Sequence, residues 1–313
     1  MSHSRLYTQR WRALCLAGAA CLLLALPHRA QAQVAVVGIL EGRATLLRPA
    51  GKLELAEGVV LNAADIIETA PASFVQIEFT DGVRLGLGES SRLMLAPAPA
   101  PAAPKPARSY LLQGWMKLTP GSDKPTAGDF LTPVGAIGAL AGACVMHAGP
   151  DQFAMFVETG SISLAERGGA ARQLKAGDFL ASQGSAALVA VVRPAPEFVK
   201  GMPRLFRDAL PARAAKFRDR PVTPRALGDV SYEDAAAWLQ ADPAIRVPMI
   251  DAWRVRLSNH GFRAAVLANL ARHPEWRPLV VPPKKPVPPR AATSAPTLAA
   301  PPASSAAAAS APS

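Results

Sequence analysis

The sequence predicts a mainly β protein: an all-β domain over residues 33–192, then a small three-helix C-terminal module over 231–280 and a disordered tail. Three observations carry this reading. Short runs that alternate apolar and polar residues, broken by Gly and Asp, recur from Val34 to about Val192. Apolar spacing changes to that of amphipathic helices after Ser231. Beyond Val281 the chain is dominated by Pro, Ala and Ser, which cannot bury a core.

Residues 1–32 read as a cleavable secretory signal peptide. Arg5, Arg10 and Arg12 form a basic start, Ala13 to Leu26 an apolar run, and Ala30-Gln31-Ala32 a small-x-small site with cleavage before Gln33. The fourteen apolar residues fall short of a membrane helix, which needs roughly 20. The expected location is a bacterial periplasm. Four of the 34 Lys and Arg and none of the 23 Asp and Glu lie in this segment, which leaves a mature charge of +7. Cys15 and Cys21 leave with it, so Cys144 alone remains and an internal disulfide is excluded.

Within the β domain, Arg43-Ala44-Thr45-Leu46-Leu47 and Phe74-Val75-Gln76-Ile77-Glu78-Phe79 read as half-buried strands. Asp81-Gly82 lies between alternating runs and predicts a type I′ hairpin. Ala96 to Arg108 is nearly all Pro and Ala and is expected to be an extended exposed loop, with strands resuming at Tyr110. A weak repeat joins the two sides of that loop. Glu41-Gly42, Gln113-Gly114 and Thr159-Gly160 each precede an alternating strand, and Gly58 and Gly177 follow the first and third at similar distances. Glycines that simply open strands at turns would give the same pattern.

Residues 193–230 form a basic, Pro-rich connector. Nine Lys and Arg face only Glu197, Asp208 and Asp219 over 193–226, a net +6. Pro203 and Pro211 suit the first turns of two short helices, with Leu205, Phe206, Leu210 and Phe217 as apolar contacts. The segment is expected to pack on the β domain with its charges solvated, weak contact with an anionic surface being the sharper alternative. In the helical module, Ser231 and Asp234 predict a capping box, followed by Ala235, Trp238 and Leu239 as a buried stripe. Asp242-Pro243 opens a second helix with Ile250, Trp253 and Leu257, and Asn259-His260-Gly261 breaks it. A third carries Phe262, Val266 and Leu270 and stops near His273-Pro274.

No motif points to catalysis, and neither a cofactor nor a metal site is expected. Cys144 and His147 supply two metal ligands on one short run, where a structural zinc site wants four. On a strand these positions point to opposite faces, with Cys144 and Met146 expected in the core and His147 outward. Gly86-Leu87-Gly88 lies in a strand without a following helix, which excludes a phosphate cradle. Glu89-Ser90-Ser91 lacks the glycines of a nucleophile elbow. Export removes the usual nucleic-acid partners, and Trp238, Trp253 and Trp276 occupy core-like positions. Lys284, Lys285 and Arg290 give the tail a weak basic character.

Leu55-x-x-Gly58, Asp65-Ile66-Ile67-x-Thr69, Ile77-x-Phe79-x-Asp81-Gly82 and Leu85-x-Leu87-x-x-x-Ser91-x-Leu93-x-Leu95 resemble the FecR domain in that order. Leu112-x-Gly114, Thr132-Pro133-Val134-Gly135-Ala136, Phe156-Val157-x-x-Gly160-Ser161-Ile162 and Leu174-x-x-Gly177-Asp178 are similar to its second half. The resemblance implies an all-β extracytoplasmic domain for sensing or interaction, with no catalytic residues to carry over. FecR regulators also carry a cytoplasmic sigma-factor-binding segment. Only twelve residues precede the apolar run here, so no such segment is expected. Ala141-Gly142-Ala143-Cys144 departs from the Gly-Thr that often follows the Pro-Val-Gly motif. The expected function is a non-catalytic binding or scaffold protein of the cell envelope that recognises a protein or glycan. The alternatives are an accessory sensor in envelope signalling and an enzyme acting on envelope polymers.

Overall fold

The alternating runs fold into two β-sheets that share one long strand. The computed structural model describes residues 33–97, 107–184 and 186–281. The expected signal peptide, most of the Pro/Ala loop and the tail beyond Val281 lie outside these residues. Along the first half run β1 (Gln33–Glu41), β2 (Ala44–Arg48), β3 (Gly51–Glu54), β4 (Val60–Asn62), β5 (Ile66–Thr69), β6 (Phe74–Phe79), β7 (Arg84–Leu87) and β8 (Arg92–Leu95). The shared strand is β9 (Ala107–Thr119). Then follow β10 (Asp129–Leu131), β11 (Gly135–Gly138), β12 (Cys144–Ala148), β13 (Gln152–Val157), β14 (Ser161–Glu166), β15 (Ala171–Lys175), β16 (Phe179–Gln183), β17 (Val189–Val191) and β18 (Arg225–Gly228).

Sheet A has the order β4-β1-β6-β7-β9-β12-β13-β16-β17. Sheet B has the order β18-β3-β2-β5-β8-β9-β10-β11-β14-β15. Only β9 and β10 pair in parallel among these neighbours. The inner faces enclose the main core, in which Leu46, Leu61, Ile77, Leu85, Met116, Phe130 and Met155 are fully buried. Burying each such side chain stabilises the fold by roughly 1.5–3 kcal/mol.

The weak sequence repeat marks the corners where the chain changes sheet. Gly42, Gly114 and Gly160 all have positive φ; Gly42 and Gly160 lie between a strand of sheet A and one of sheet B, and Gly114 lies inside β9 where its pairing passes from sheet B to sheet A. A Cβ at Gly42 would lie 2.4 Å from Ser73 Oγ, and one at Gly114 would lie 2.1 Å from Ser91 Oγ. At both corners the following residue donates its N–H to that serine, Arg43 at 2.9 Å and Trp115 at 2.8 Å. Only glycine combines this close approach with a left-handed backbone.

The hairpin at Asp81-Gly82 exists, but it is not the expected type I′. Gly82 has φ +84° and Asp81 is not among the residues of positive φ. Gly82 N–H bonds to Phe79 C=O at 3.0 Å and Phe79 N–H to Val83 C=O at 2.9 Å, which defines a three-residue loop closed by a left-handed glycine. The strand expected to resume at Tyr110 begins at Ala107, where Arg108 forks onto Asp81 and lies 4.4 Å over the Phe79 ring.

Both outer faces are covered. On sheet B, Leu47, Ile66, Met94 and Tyr110 pack against Trp238, Trp253, Phe262 and Trp276 of the helical module. Its helices are α2 (Tyr232–Leu239), α3 (Pro243–Trp253) and α4 (His260–Ala268), after the connector's α1 (Pro196–Gly201). The capping box at Ser231 and Asp234 forms as expected. Asp234 also accepts Lys52 of β3 at 2.6 Å, so the cap fastens the helix to the sheet. Burial opposes ionisation of Asp234, but hydrogen bonds from Lys52 and Ser231 hold its pKa below the usual value. The third helix stops at Ala268, earlier than the expected His273-Pro274, and beyond His273 a 3-10 turn Pro274–Trp276 with Trp276 fully buried leads into α5 (Arg277–Val280).

Candidate interaction surfaces

The strand Phe74–Phe79 alternates Phe, Gln and Glu on its outward side, a pattern that predicts a solvent face. All six of its residues are nevertheless buried. The basic connector lies across them. Phe206 meets Phe74 edge-on at 6.0 Å between ring centroids, and Phe198 of α1 lies 5.0 Å from Trp115 and 5.2 Å from Phe179. Gly86 and Gly88 make this approach possible. A Cβ at Gly88 would lie 2.7 Å from both Pro203 Cγ and Trp115 Cβ. The glycines excluded as a phosphate cradle therefore seat the connector.

Four polar side chains of sheet A hold the main chain of this strap. Lys117 donates to the Phe206 carbonyl, Arg84 to Leu210 at 2.6 Å and Gln76 to Pro211 at 2.8 Å. Glu78 accepts the N–H groups of Arg213 at 2.6 Å and Ala214 at 2.9 Å. Glu78 fits because β1 bulges at Gly38, where a Cβ would lie 2.0 Å from its carboxylate. Beside the strap lies a cavity of about 280 Å³ lined by Phe74, Arg84, Lys117, Thr119 and Phe206. Lys117 is already paired with Glu158 at 2.7 Å.

The strap's local structure differs from expectation in detail. Pro203 does precede a turn, the 3-10 segment Arg204–Phe206. Pro211 opens none, since its carbonyl is held by Gln76 and the next turn, Ala214–Phe217, starts after Arg213. Phe206 is buried, Leu205 and Leu210 pack on the outer face of sheet A, and Phe217 lies over Gly58. The connector ends as β18, paired with β3, although no strand is expected there.

The residues weighed for chemistry are separated. Cys144 and Met146 are fully buried between the sheets, and burial pushes the Cys144 thiol up to about 12. His147 does face outward, but it is half-buried with its ring centroid 4.5 Å from that of Trp115. Burial lowers its pKa. Ser91 is buried as a corner residue and serves the Trp115 N–H. Among the described residues no three His, Cys, Asp or Glu side chains gather as metal ligands.

The sheet edges differ in how they are protected. Strand β4 has three residues, and the adjacent Val59 bridges to Val222. Arg225 begins β18, and Arg172 and Lys175 stand on β15. At the far edge of sheet A, β17 is hydrogen-bonded to β16 on one side only among the described residues. Its side chains are apolar and open: Val189 is 58% exposed, Val191 41% and the next residue, Val192, 96%. No charged residue occurs from Phe179 to Val192. Leu188 anchors its start, its N–H donated to Glu166 at 3.3 Å and its carbonyl accepting from Arg172 at 3.5 Å. The sequence holds a signal for this edge in its charge-free valine run, but nothing in it shows which side is unpaired.

No family model and no curated protein matches the chain. Two crystal structures of a candidate anti-sigma factor from Parabacteroides distasonis are similar to it, at 14% and 13% identity and a TM-score of 0.34 each. The match covers 43% of this chain and 62% of each of those chains, so it spans less than two thirds of their length.

Proposed function

We propose that the chain is a non-catalytic periplasmic binding or scaffold protein of the cell envelope, in which a FecR-like β domain recognises a protein partner that adds a strand to β17. The carrying observation is the uncharged edge of β17 with Val189, Val191 and Val192 exposed. Natural sheets protect such edges with charges, bulges or a covering element, as β4, β15 and β18 are protected here. An added strand gains main-chain hydrogen bonds, and alternate side chains meet the valines. The non-catalytic part of the reading is supported by the separation of Cys144 from His147 on opposite faces of β12. Envelope extract passed over the wild-type chain and over a Val189→Lys, Val191→Lys variant tests the reading. A protein retained only by the wild type supports it. Equal retention by both, or binding to peptidoglycan that the lysines leave unchanged, counts against it.

A further inference from the structure

We propose that the outward side of the strap and the turn that follows, residues 200–220, binds an anionic lipid surface. The strap has two chemically distinct sides. Phe206, Leu205, Leu210 and Phe217 turn toward the β domain. Lys200, Arg204, Arg207, Lys216, Arg218 and Arg220 are exposed. Among the described residues none of these six cations forms an ion pair, although Asp208 and Asp219 lie in the same segment. On strands of the β domain, by contrast, Arg48, Lys52, Arg92, Lys117 and Arg172 each contact a carboxylate at 2.6–3.2 Å. The fold thus neutralises these five sheet cations, whereas in the strap Arg213 alone reaches a carboxylate among the described residues, Glu57 at 3.4 Å.

The form of the patch selects its partner. Its charges are spread along an irregular segment and do not converge on a pocket, so they sum to a diffuse positive field. A continuous layer of anionic headgroups fits that field better than a single small ligand. Val199, 45% exposed beside Lys200, adds an apolar side chain at the same surface. Basic residues at an anionic leaflet each strengthen binding roughly fivefold, and salt weakens the attraction.

Co-sedimentation of the purified chain with vesicles of phosphatidylglycerol and phosphatidylcholine in equal parts, and of phosphatidylcholine alone, tests the assignment. The chain is expected to sediment with the anionic vesicles at low salt and to be released at high salt. A variant with Arg204→Gln, Lys216→Gln, Arg218→Gln and Arg220→Gln is expected to bind at least about a hundredfold more weakly while unfolding at the same temperature as the wild type. A second variant with Arg254→Gln, Arg263→Gln, Arg272→Gln and Arg277→Gln removes as much charge from the helical module and is expected to keep most of the binding. The tail cations Lys284, Lys285 and Arg290 are common to all three proteins, so the difference reads the strap alone. Equal loss in both variants, equal binding to neutral vesicles, or no binding to either vesicle overturns the proposal. An acidic polypeptide bound in place of vesicles overturns it as well.

Discussion

Trp238 donates its indole N–H to Glu68 Oε1 at 3.2 Å, joining the first helix of the C-terminal module to the outer face of sheet B. Burial raises the Glu68 pKa, although Arg92 at 3.2 Å and the indole N–H favour its charged form. The helical module and the β domain therefore share this polar contact, beside the Lys52–Asp234 and Arg167–Asp242 ion pairs, in an interface whose packed side chains are otherwise apolar. Trp238→Phe keeps most of the packing and removes that bond, which costs about 1.5–3 kcal/mol when the acceptor is charged. Urea unfolding followed by fluorescence is expected to show the loss as a lower midpoint with an unchanged slope.

The strap is held by packing at Phe206 as well as by main-chain hydrogen bonds. Phe206→Ala is expected to cost roughly 3–5 kcal/mol. Limited proteolysis should cut near Arg204 and Arg207 sooner in the variant than in the wild type. Gly88→Ala is expected to act in the same direction, because its Cβ would meet Pro203 and Trp115.

Stability should fall as the solution is acidified below neutrality. His273 is fully buried with Nε2 3.0 Å from the Tyr232 hydroxyl, and desolvation lowers its pKa. His147 is lowered by the same cause. Both bases bind protons less readily folded than unfolded. Their contribution is complete above the unfolded value of about 6.5 and is lost as pH falls from there through the folded values. Urea midpoints measured on either side of that value check the sign. His273→Gln, which keeps a partner for Tyr232, should reduce the pH dependence, and the remainder belongs to His147.

Cys144 lies between the sheets with its thiol pushed up to about 12. The native chain should resist a maleimide at mildly alkaline pH and become quantitatively labelled in denaturant, as mass spectrometry can follow. Rapid native labelling would show that the sheets open there.

The sequence conveys the parts of this fold that local chemistry decides. Ser231 and Asp234 cap a helix through bonds three residues apart, and the glycines at 42, 114 and 160 mark corners because the backbone there excludes other residues. What it conveys poorly depends on distant partners. Gln76 and Glu78 look like solvent-facing positions until a strap 135 residues away covers them. At Gly82 the Asp-Gly pair suits both a two-residue and a three-residue loop, and the pairing of Phe79 with Val83 decides between them. The candidate site follows the same division. Its charge-free valine run is visible in the sequence, whereas its place at a sheet edge follows from the pairing of β16 with β13 and β17.

Strand addition at β17 is tested most directly by site-specific photocrosslinking in intact cells. A photoreactive residue is placed at Val191 in one protein and at Val255 of the helical module, 59% exposed, in another. The account predicts a discrete protein adduct from position 191, abolished by Val189→Lys, and none of the same mass from position 255. No adduct from 191, or the same adduct from both positions, would contradict it.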